Sequence, residues 1–534
     1  MKSGAEFNKS RRNFFKSIAT ALVVLPMLQA CKQKAKQWVV KLTGTRHVLG
    51  HRLWSKDFPA PTAHLSVPIV IVGGGVTGLS AARQLHRKGH DDFLLLEMED
   101  HVGGNASNGE NTYTKYPLGA HYLPLPNRED HELIAFLKES KILKEEDQTG
   151  LLNFDETQIV FAPNERIYYR NAWHEGLIPK SELSANDEAQ FAAFFQQMEY
   201  YRSQKTAGKY WFDIPLKNVI WVNENRALDQ MTMREWMEKQ WSSSKLFAYV
   251  DYCCRDDFGL GIDYVSAYAG IHYFAARKKN AQPEYEDGVL TWPEGNARLV
   301  RHFHSYVKDK TKVNHIVYEV KIKVGGVELW VFDAQKNQSL IIHAQKVIMT
   351  TPQFVNAYLF DSHKKYARSF HYAPWLLATL VVSELKDNET YPLCWDNVLY
   401  ESDGLGYIYD QHQHLNQVST PKVITYYHSF SSDNCKRDRR LLYQKPAEYW
   451  QQKVFNELKK AHPTIEQVTE SMTIHRLGHG MISPKPGFIT GQARRNAAQT
   501  MENRIYFAHT DLSGISIFEE AFHQGIDVVN QLLS

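Results

Sequence analysis

The sequence predicts an α/β fold, with one Rossmann-like lobe interleaved with a second lobe of mixed α+β structure. Three observations carry this. Residues 68–97 read as strand, glycine turn, helix, strand and acid, the order of a βαβ nucleotide-binding crossover. A later segment, 504–508, reads as a strand that leads into a helix opening at Glu519 and running to Leu533. Between the two lie long stretches that are largely helical over 127–285 and alternate strands with loops over 356–487. Composition agrees with a globular chain: of 534 residues, 43% are hydrophobic and 23% charged, which excludes a disordered or multi-span membrane protein. Lys+Arg is 62 against 59 Asp+Glu, so no basic excess points to nucleic acid. The 12 Trp, 28 Tyr and 26 Phe suit large cores and flat ligands.

The chain opens with Arg11-Arg12-Asn13-Phe14-Phe15-Lys16, an apolar run over 18–28, and Leu28-Gln29-Ala30-Cys31. The run is too short for a spanning helix, which needs about 20 residues. The segment resembles a twin-arginine export signal ending in a lipobox, with Cys31 as the lipidated residue. That resemblance implies passage through the twin-arginine translocase, which carries folded proteins, often with a cofactor bound. It also implies a periplasmic or cell-envelope location with a lipid anchor to the membrane. Without residues 1–30 the chain carries 57 basic and 58 acidic residues, so no strong steering of charged partners is expected. Residues 32–65 read as a tether and lead-in, with Pro59-Ala60-Pro61 ahead of the first strand. The other cysteines, Cys253, Cys254, Cys394 and Cys435, have no metal-ligand spacing and read as buried or idle thiols.

Pro68-Ile69-Val70-Ile71-Val72 is a β-branched run suited to a buried strand. Gly73, Gly75 and Gly78 then form G-x-G-x-x-G, and residues 79–85 continue at helical spacing. Gly73 permits the tight turn, Gly75 lets a pyrophosphate approach the backbone, and Gly78 lets helix and strand pack closely. The helix start offers N–H groups and partial positive charge to the phosphates. Phe93-Leu94-Leu95-Leu96 ends at Glu97, nineteen residues after Gly78, where an acid can accept hydrogen bonds from ribose hydroxyls. This Rossmann-like crossover reads as a dinucleotide site.

The choice of dinucleotide comes from a resemblance. The stretch from Glu97 to Gly103, Gly104 and Asn105 resembles the E-x-x-x-x-x-G-G motif of FAD-dependent amine oxidases, phytoene desaturases and protoporphyrinogen oxidases. Asn105 stands where many members carry Arg. Tyr116-Pro117-Leu118-Gly119-Ala120-His121-Tyr122 resembles the superfamily's segment beside the flavin ring, and 291–299 its Y-P-x-G-G loop. Residues 313–323 and 327–332 read as strands around Gly325-Gly326, with Val317 matching a backbone contact to adenine. At the C-terminus, 504–514 and the helix from Glu519 resemble the strand and helix that face the flavin, with His509 and Glu520 in place of glycines. The resemblance, closest to an exported bacterial branch, implies FAD held by Gly73, Gly75, Gly78, Glu97, Gly103, Gly104, Asn105, Gly119, Ala120, Val317, Asp511, Ser513 and Glu520. It also implies lobe boundaries: FAD segments 66–126, 286–355 and 488–534, and substrate segments 127–285 and 356–487.

Flavin performs hydride chemistry, and the protein supplies orientation and electrostatics. Candidate catalytic residues are His121, Tyr122, His272 and His479, with Tyr273, Trp292 and Met481 as further cleft residues. His121 follows the flavin-side motif and can orient substrate or move a proton. His272 falls within 263–274, which reads as a buried helix. His479 lies in 475–481, where glycines permit close backbone approach and relatives place an aromatic wall. Relatives carry a lysine just before the strand matching 376–382; this chain has Ala373-Pro374-Trp375. The charge run 436–440 reads as solvated surface. No second nucleotide fingerprint occurs, so electrons are expected to pass to oxygen, a quinone or a redox protein. The expected activity is hydride removal from a small substrate, most simply an amine. The alternatives are a desaturase or isomerase of an unsaturated lipid or isoprenoid, and a flavin lipoprotein that relays electrons.

Overall fold

The apolar run at residues 69–72 forms the centre of the first sheet. In the computed structural model, which describes residues 40–144, 152–278, 288–385, 390–414 and 421–534, it ends the strand Pro61–Val72. Phe93–Leu96 and Gln338–Met349 flank this strand, both parallel, with Val70 opposite Leu94 and Val347. Ile505–Phe507 adds in parallel beside Gln338–Met349. The hairpin His315–Lys323 and Gly326–Asp333, turning at Gly325, pairs in antiparallel fashion with the other end of that same edge of Gln338–Met349. Helix Val76–Arg87 packs on this sheet with Phe518–Leu533 against it. Gly525 permits that contact, because a Cβ there would lie 2.4 Å from the Thr77 carbonyl oxygen.

The second sheet has eight strands, in the order Val40–Gly44, Thr469–Ile482, Tyr372–Val382, Lys422–Ser429, Gly406–Tyr409, Asp396–Leu399, Glu165–Tyr169 and Ala172–Glu175. Its central strand Tyr372–Val382 is buried at every residue. The helices expected in the first insertion appear as His131–Glu139, Ala185–Ser203 and Ala267–Ala275. The four described cysteines are buried and form no disulfide.

Four expectations are corrected. Residues 40–65 are more than a lead-in. Val40–Gly44 pairs in parallel with Thr469–Ile482, His47–Ser55 is a helix, and the first long strand starts at Pro61 rather than Pro68. The basic run over 32–41 hid the Val40/Leu42 alternation. Within the largely helical 127–285, the stretch 232–252, which periodicity predicts as one helix, is two, Met233–Met237 and Ser244–Phe258, because Ser243 caps the second by accepting from the Leu246 N–H at 3.3 Å. The glycine-rich 475–481 is strand that bulges, with Ala373 opposite Met481 but Trp375 opposite Leu477. Gly478 and Gly480 admit the rings of Tyr443 and Trp375, which a Cβ would meet at 2.6 and 2.5 Å. Finally, Arg439 is not a solvated charge: its Nε donates to the Gly478 carbonyl at 2.6 Å. The segment 1–31 with Cys31 lies outside the described residues. Among those described, no helix is long and apolar enough to cross a membrane.

Candidate active site

The glycine turn has the form that the sequence requires. Gly73 adopts φ 112°, where a side chain is strained, and a Cβ on Gly78 would lie 1.9 Å from the Gly73 carbonyl oxygen. Gly75 differs: its backbone is extended, it precedes the helix with no side-chain cap, and a Cβ would meet nothing within 4 Å. That open cradle over an uncapped helix start fits a pyrophosphate. Gly103 donates to the Gly74 carbonyl at 2.8 Å, and a Cβ on Gly104 would come within 3.4 Å of Gly75, so the double glycine lies against the turn. Glu97 accepts from the Gly74 N–H at 2.6 Å and the Glu99 N–H at 2.8 Å, and burial pushes its carboxyl up. Val317 is buried near this acid: the His315 N–H, two residues earlier, donates to the Glu97 carbonyl at 2.8 Å.

Some of the buried polar atoms without a partner among the described residues fall on the flavin-side segments. They include Asn296 Oδ1, both amide atoms of Gln353, and Glu519 Oε2. Each lies on a segment that the motifs assign to the flavin side. The donor set, the cradle and these orphans fit FAD.

Several cofactor candidates are held by the protein itself. The Asn105 side chain donates to the Gly480 carbonyl, tying the double-glycine motif to the second sheet. Gly119 admits the Asn105 carbonyl, 2.3 Å from where a Cβ would be, and Ala120 N–H donates to that same carbonyl at 2.8 Å. Asp511 Oδ2 accepts from the Gln353 N–H at 2.8 Å and the Tyr372 hydroxyl at 2.5 Å. Ser513 Oγ donates to the Thr510 carbonyl at 2.9 Å. Glu520 accepts from the Leu216 N–H at 2.5 Å, and burial pushes its carboxyl up to about 7.

The segment 116–122 carries the candidate chemistry to the second sheet. His121 sits 4.8 Å from Tyr427, 4.9 Å from Tyr122 and 5.7 Å from Trp395, ring centre to ring centre. Burial lowers it to about 4, so its imidazole is neutral at pH 7. Its Nδ1 lies 3.4 Å from the Gly119 carbonyl; a proton shared there leaves the Nε2 lone pair available. Tyr122 donates to Asp256 Oδ2 at 3.3 Å.

The other two histidines do not join His121. His272 is a core residue: it is buried, with Nε2 3.2 Å from the Asp213 carbonyl, and burial lowers it to about 3. His479 stacks on Phe354 at 3.9 Å beside Tyr372. Trp292 Nε1 donates to Gln158 at 3.0 Å.

What the motifs missed is acidic. Asp256 and Asp257 end one helix, Asp396 begins one strand, and Asp410 follows another. Burial pushes Asp256 up to about 6 and Asp257 up to about 7. It raises Asp396 and Asp410 as well. The only sequence trace was acids placed beside aromatics: Asp257-Phe258, Trp395-Asp396 and Tyr409-Asp410.

A profile of flavin containing amine oxidoreductases matches residues 76–533, most of the chain. The chain belongs to that family. FAD is its cofactor, and flavin-dependent oxidoreduction is its class of chemistry. A flavin-containing amine oxidase of Oncorhynchus mykiss is 42% identical over 69 residues, which is 12% of this chain and 13% of that protein. The match therefore spans about an eighth of that relative. The fold is similar to cyclohexylamine oxidase from Brevibacterium oxydans (15% identity, 87% of this chain and 98% of that one, TM-score 0.61). It is also similar to a fatty acid isomerase from P. acnes (15% identity, 87% and 98% covered, TM-score 0.62).

Proposed function

We propose that the chain oxidises an amine at the cleft between the two sheets. The observation that carries this is the placement of neutral His121 on the flavin-side segment, within an aromatic wall of Tyr122, Trp395 and Tyr427. Bound FAD supplies a two-electron hydride acceptor. His121 holds the amine nitrogen through the Nε2 lone pair, and the aromatic rings exclude water from the reacting carbon. The α-carbon gives up a hydride and the nitrogen a proton, leaving an imine that water hydrolyses to a carbonyl and ammonia or a smaller amine. Oxygen, a quinone or a redox protein then takes the two electrons.

Val317, Asp511, Ser513 and Glu520 remain in this reading as cofactor-side residues, the last three acting through the backbone turns they brace. Localisation belongs to the same proposal: export by the twin-arginine route and anchoring through Cys31.

One observation favours a second reading. Trp375 occupies the stretch where the resemblance predicts lysine, and its indole N–H is buried without a partner among the described residues. An isomerase or desaturase of an unsaturated lipid would need no such lysine. Anaerobic mixing separates the two: bleaching of the flavin band by amines supports oxidation, whereas bleaching only by unsaturated lipids or isoprenoids overturns it. Reduction only by a partner protein would indicate an electron relay.

A further inference from the structure

Residues 40–56 touch both sheets, and they lie ahead of the part of the chain that the family profile matches, which begins at residue 76. The strand Val40–Gly44 forms one edge of the second sheet, where Thr43 Oγ1 donates to the Ile474 carbonyl at 3.3 Å. The helix His47–Ser55 lies on the first sheet, where Leu49 and Leu53 are buried with Ile316, Tyr318 and Phe332. Between strand and helix, Arg46 holds the loop that follows Glu97. Its main-chain N–H donates to both carboxylate oxygens of Glu99, at 2.9 and 3.2 Å. Its guanidinium donates to the Met98 carbonyl at 3.4 Å and to Asn314 Oδ1.

These contacts converge behind the adenosine end of the cofactor bed. The Glu99 N–H donates to Glu97 Oε1 at 2.8 Å, so the residue that Arg46 holds is the one that aims the Glu97 carboxylate. The Asn314 N–H donates to the Glu99 carbonyl at 2.7 Å, and the next residue, His315, donates to the Glu97 carbonyl. Val317 lies between Ile316 and Tyr318, the two residues of its strand that pack with Leu49 and Leu53, and itself joins the core on the other side of the sheet. Lys56 Nζ donates to the Tyr318 carbonyl at 3.1 Å. Glu97 and Val317 are the residues that the motifs and the resemblance give to the ribose and the adenine. Both are braced by the same short segment, through one continuous set of hydrogen bonds and packed side chains, the kind of network that carries coupling.

We propose that residues 40–56 are a strap coupled to the adenosine half of FAD. Docked, the strap holds Glu97 and Val317 in place for the cofactor; bound cofactor in turn holds the strap down. Arg46 is its positioning residue and acts through Glu99. The inference rests on the cofactor and not on the amine reading. Coupling of this kind is reciprocal: the factor by which FAD suppresses opening of the strap is the factor by which an open strap weakens FAD.

The test compares the FAD-loaded protein with the same protein stripped of flavin, by hydrogen exchange. Amides over 40–56 should exchange at least about 10-fold faster without FAD. Those of Ala172–Glu175, the opposite edge of the second sheet, should change by less than about twofold. Equal rates over 40–56 in the two states overturn the strap. So does an equal acceleration at 172–175, which is general loosening rather than coupling. This comparison needs no variant, so it decides the matter even where a substitution prevents folding. FAD titrated into stripped Arg46→Ala should bind at least about 5-fold more weakly than into the parent. A purely structural Arg46 would lower the melting temperature of the stripped protein and leave FAD affinity unchanged, and that result overturns its positioning role. Neither readout uses a substrate, so a protein that no amine bleaches loses the amine reading and keeps the strap.

Discussion

Two glycines of one turn should fail for different reasons. At Gly75 the backbone, φ −72° and ψ −179°, suits any residue, and a Cβ meets nothing within 4 Å. Gly75→Val should therefore leave the apoprotein within about 1 kcal/mol of the parent, the scale of a changed N-cap. The added side chain fills the space that a pyrophosphate needs. Losing two charge-assisted backbone contacts, at roughly 1.5–3 kcal/mol each, weakens FAD binding by about 10²–10⁴-fold. At Gly78 the conflict lies inside the protein. A Cβ would sit 1.9 Å from the Gly73 carbonyl oxygen, so the helix must leave the strand. Overpacking of this kind costs about 1–3 kcal/mol, or more against backbone. Gly78→Ala should thus lower the melting temperature of the apoprotein, and Gly75→Val should not. The assays are thermal unfolding of deflavinated protein and the flavin fluorescence that heat releases from the purified variants. A yellow Gly75→Val with the parent's flavin content would refute the placement of the cofactor. A Gly78→Ala apoprotein that melts with the parent would refute the packing argument.

Three further outcomes are expected. Tyr372→Phe removes the hydroxyl that donates to Asp511 at 2.5 Å, leaving a carboxylate 1% exposed short of a donor. Its denaturant midpoint should fall by the equivalent of about 1–3 kcal/mol, and an unchanged midpoint contradicts the bracing role. Asp256 and Asp257 are pushed up to about 6 and about 7 by burial, so the folded chain binds their protons more tightly than the unfolded chain does. Stability should fall as pH rises from about 4 to about 7 and level above that. Asp257→Asn should flatten the fall, and equal slopes in parent and variant would count against it. Cys31→Ser should move the protein from the membrane to the soluble fraction; retention on membranes would sink the lipid anchor.

The cofactor lobe was legible because its determinants are local. The glycines from Gly73 to Gly104, Glu97 and the run 69–72 each act within one crossover, where spacing along the chain maps directly onto spacing in the turn. The strands around Gly325-Gly326 and the helix following Asp511 were legible for the same reason. The residues 40–65 were misread because two apolar positions in a basic stretch carry little periodic weight. No role for His272 could be read from sequence, because a histidine on an apolar helix looks the same whether it meets a substrate or a carbonyl. It meets the Asp213 carbonyl.

What the sequence by itself determined is the kind of cofactor lobe and the places where the chain returns to it, since both follow from short-range backbone sterics and apolar patterning. Only the tertiary structure decided which rings surround His121: Tyr122, Trp395 and Tyr427. Tyr427 lies on one strand and Trp395 just ahead of another, far along the chain, and register is a property of paired strands. No spacing within one segment records it.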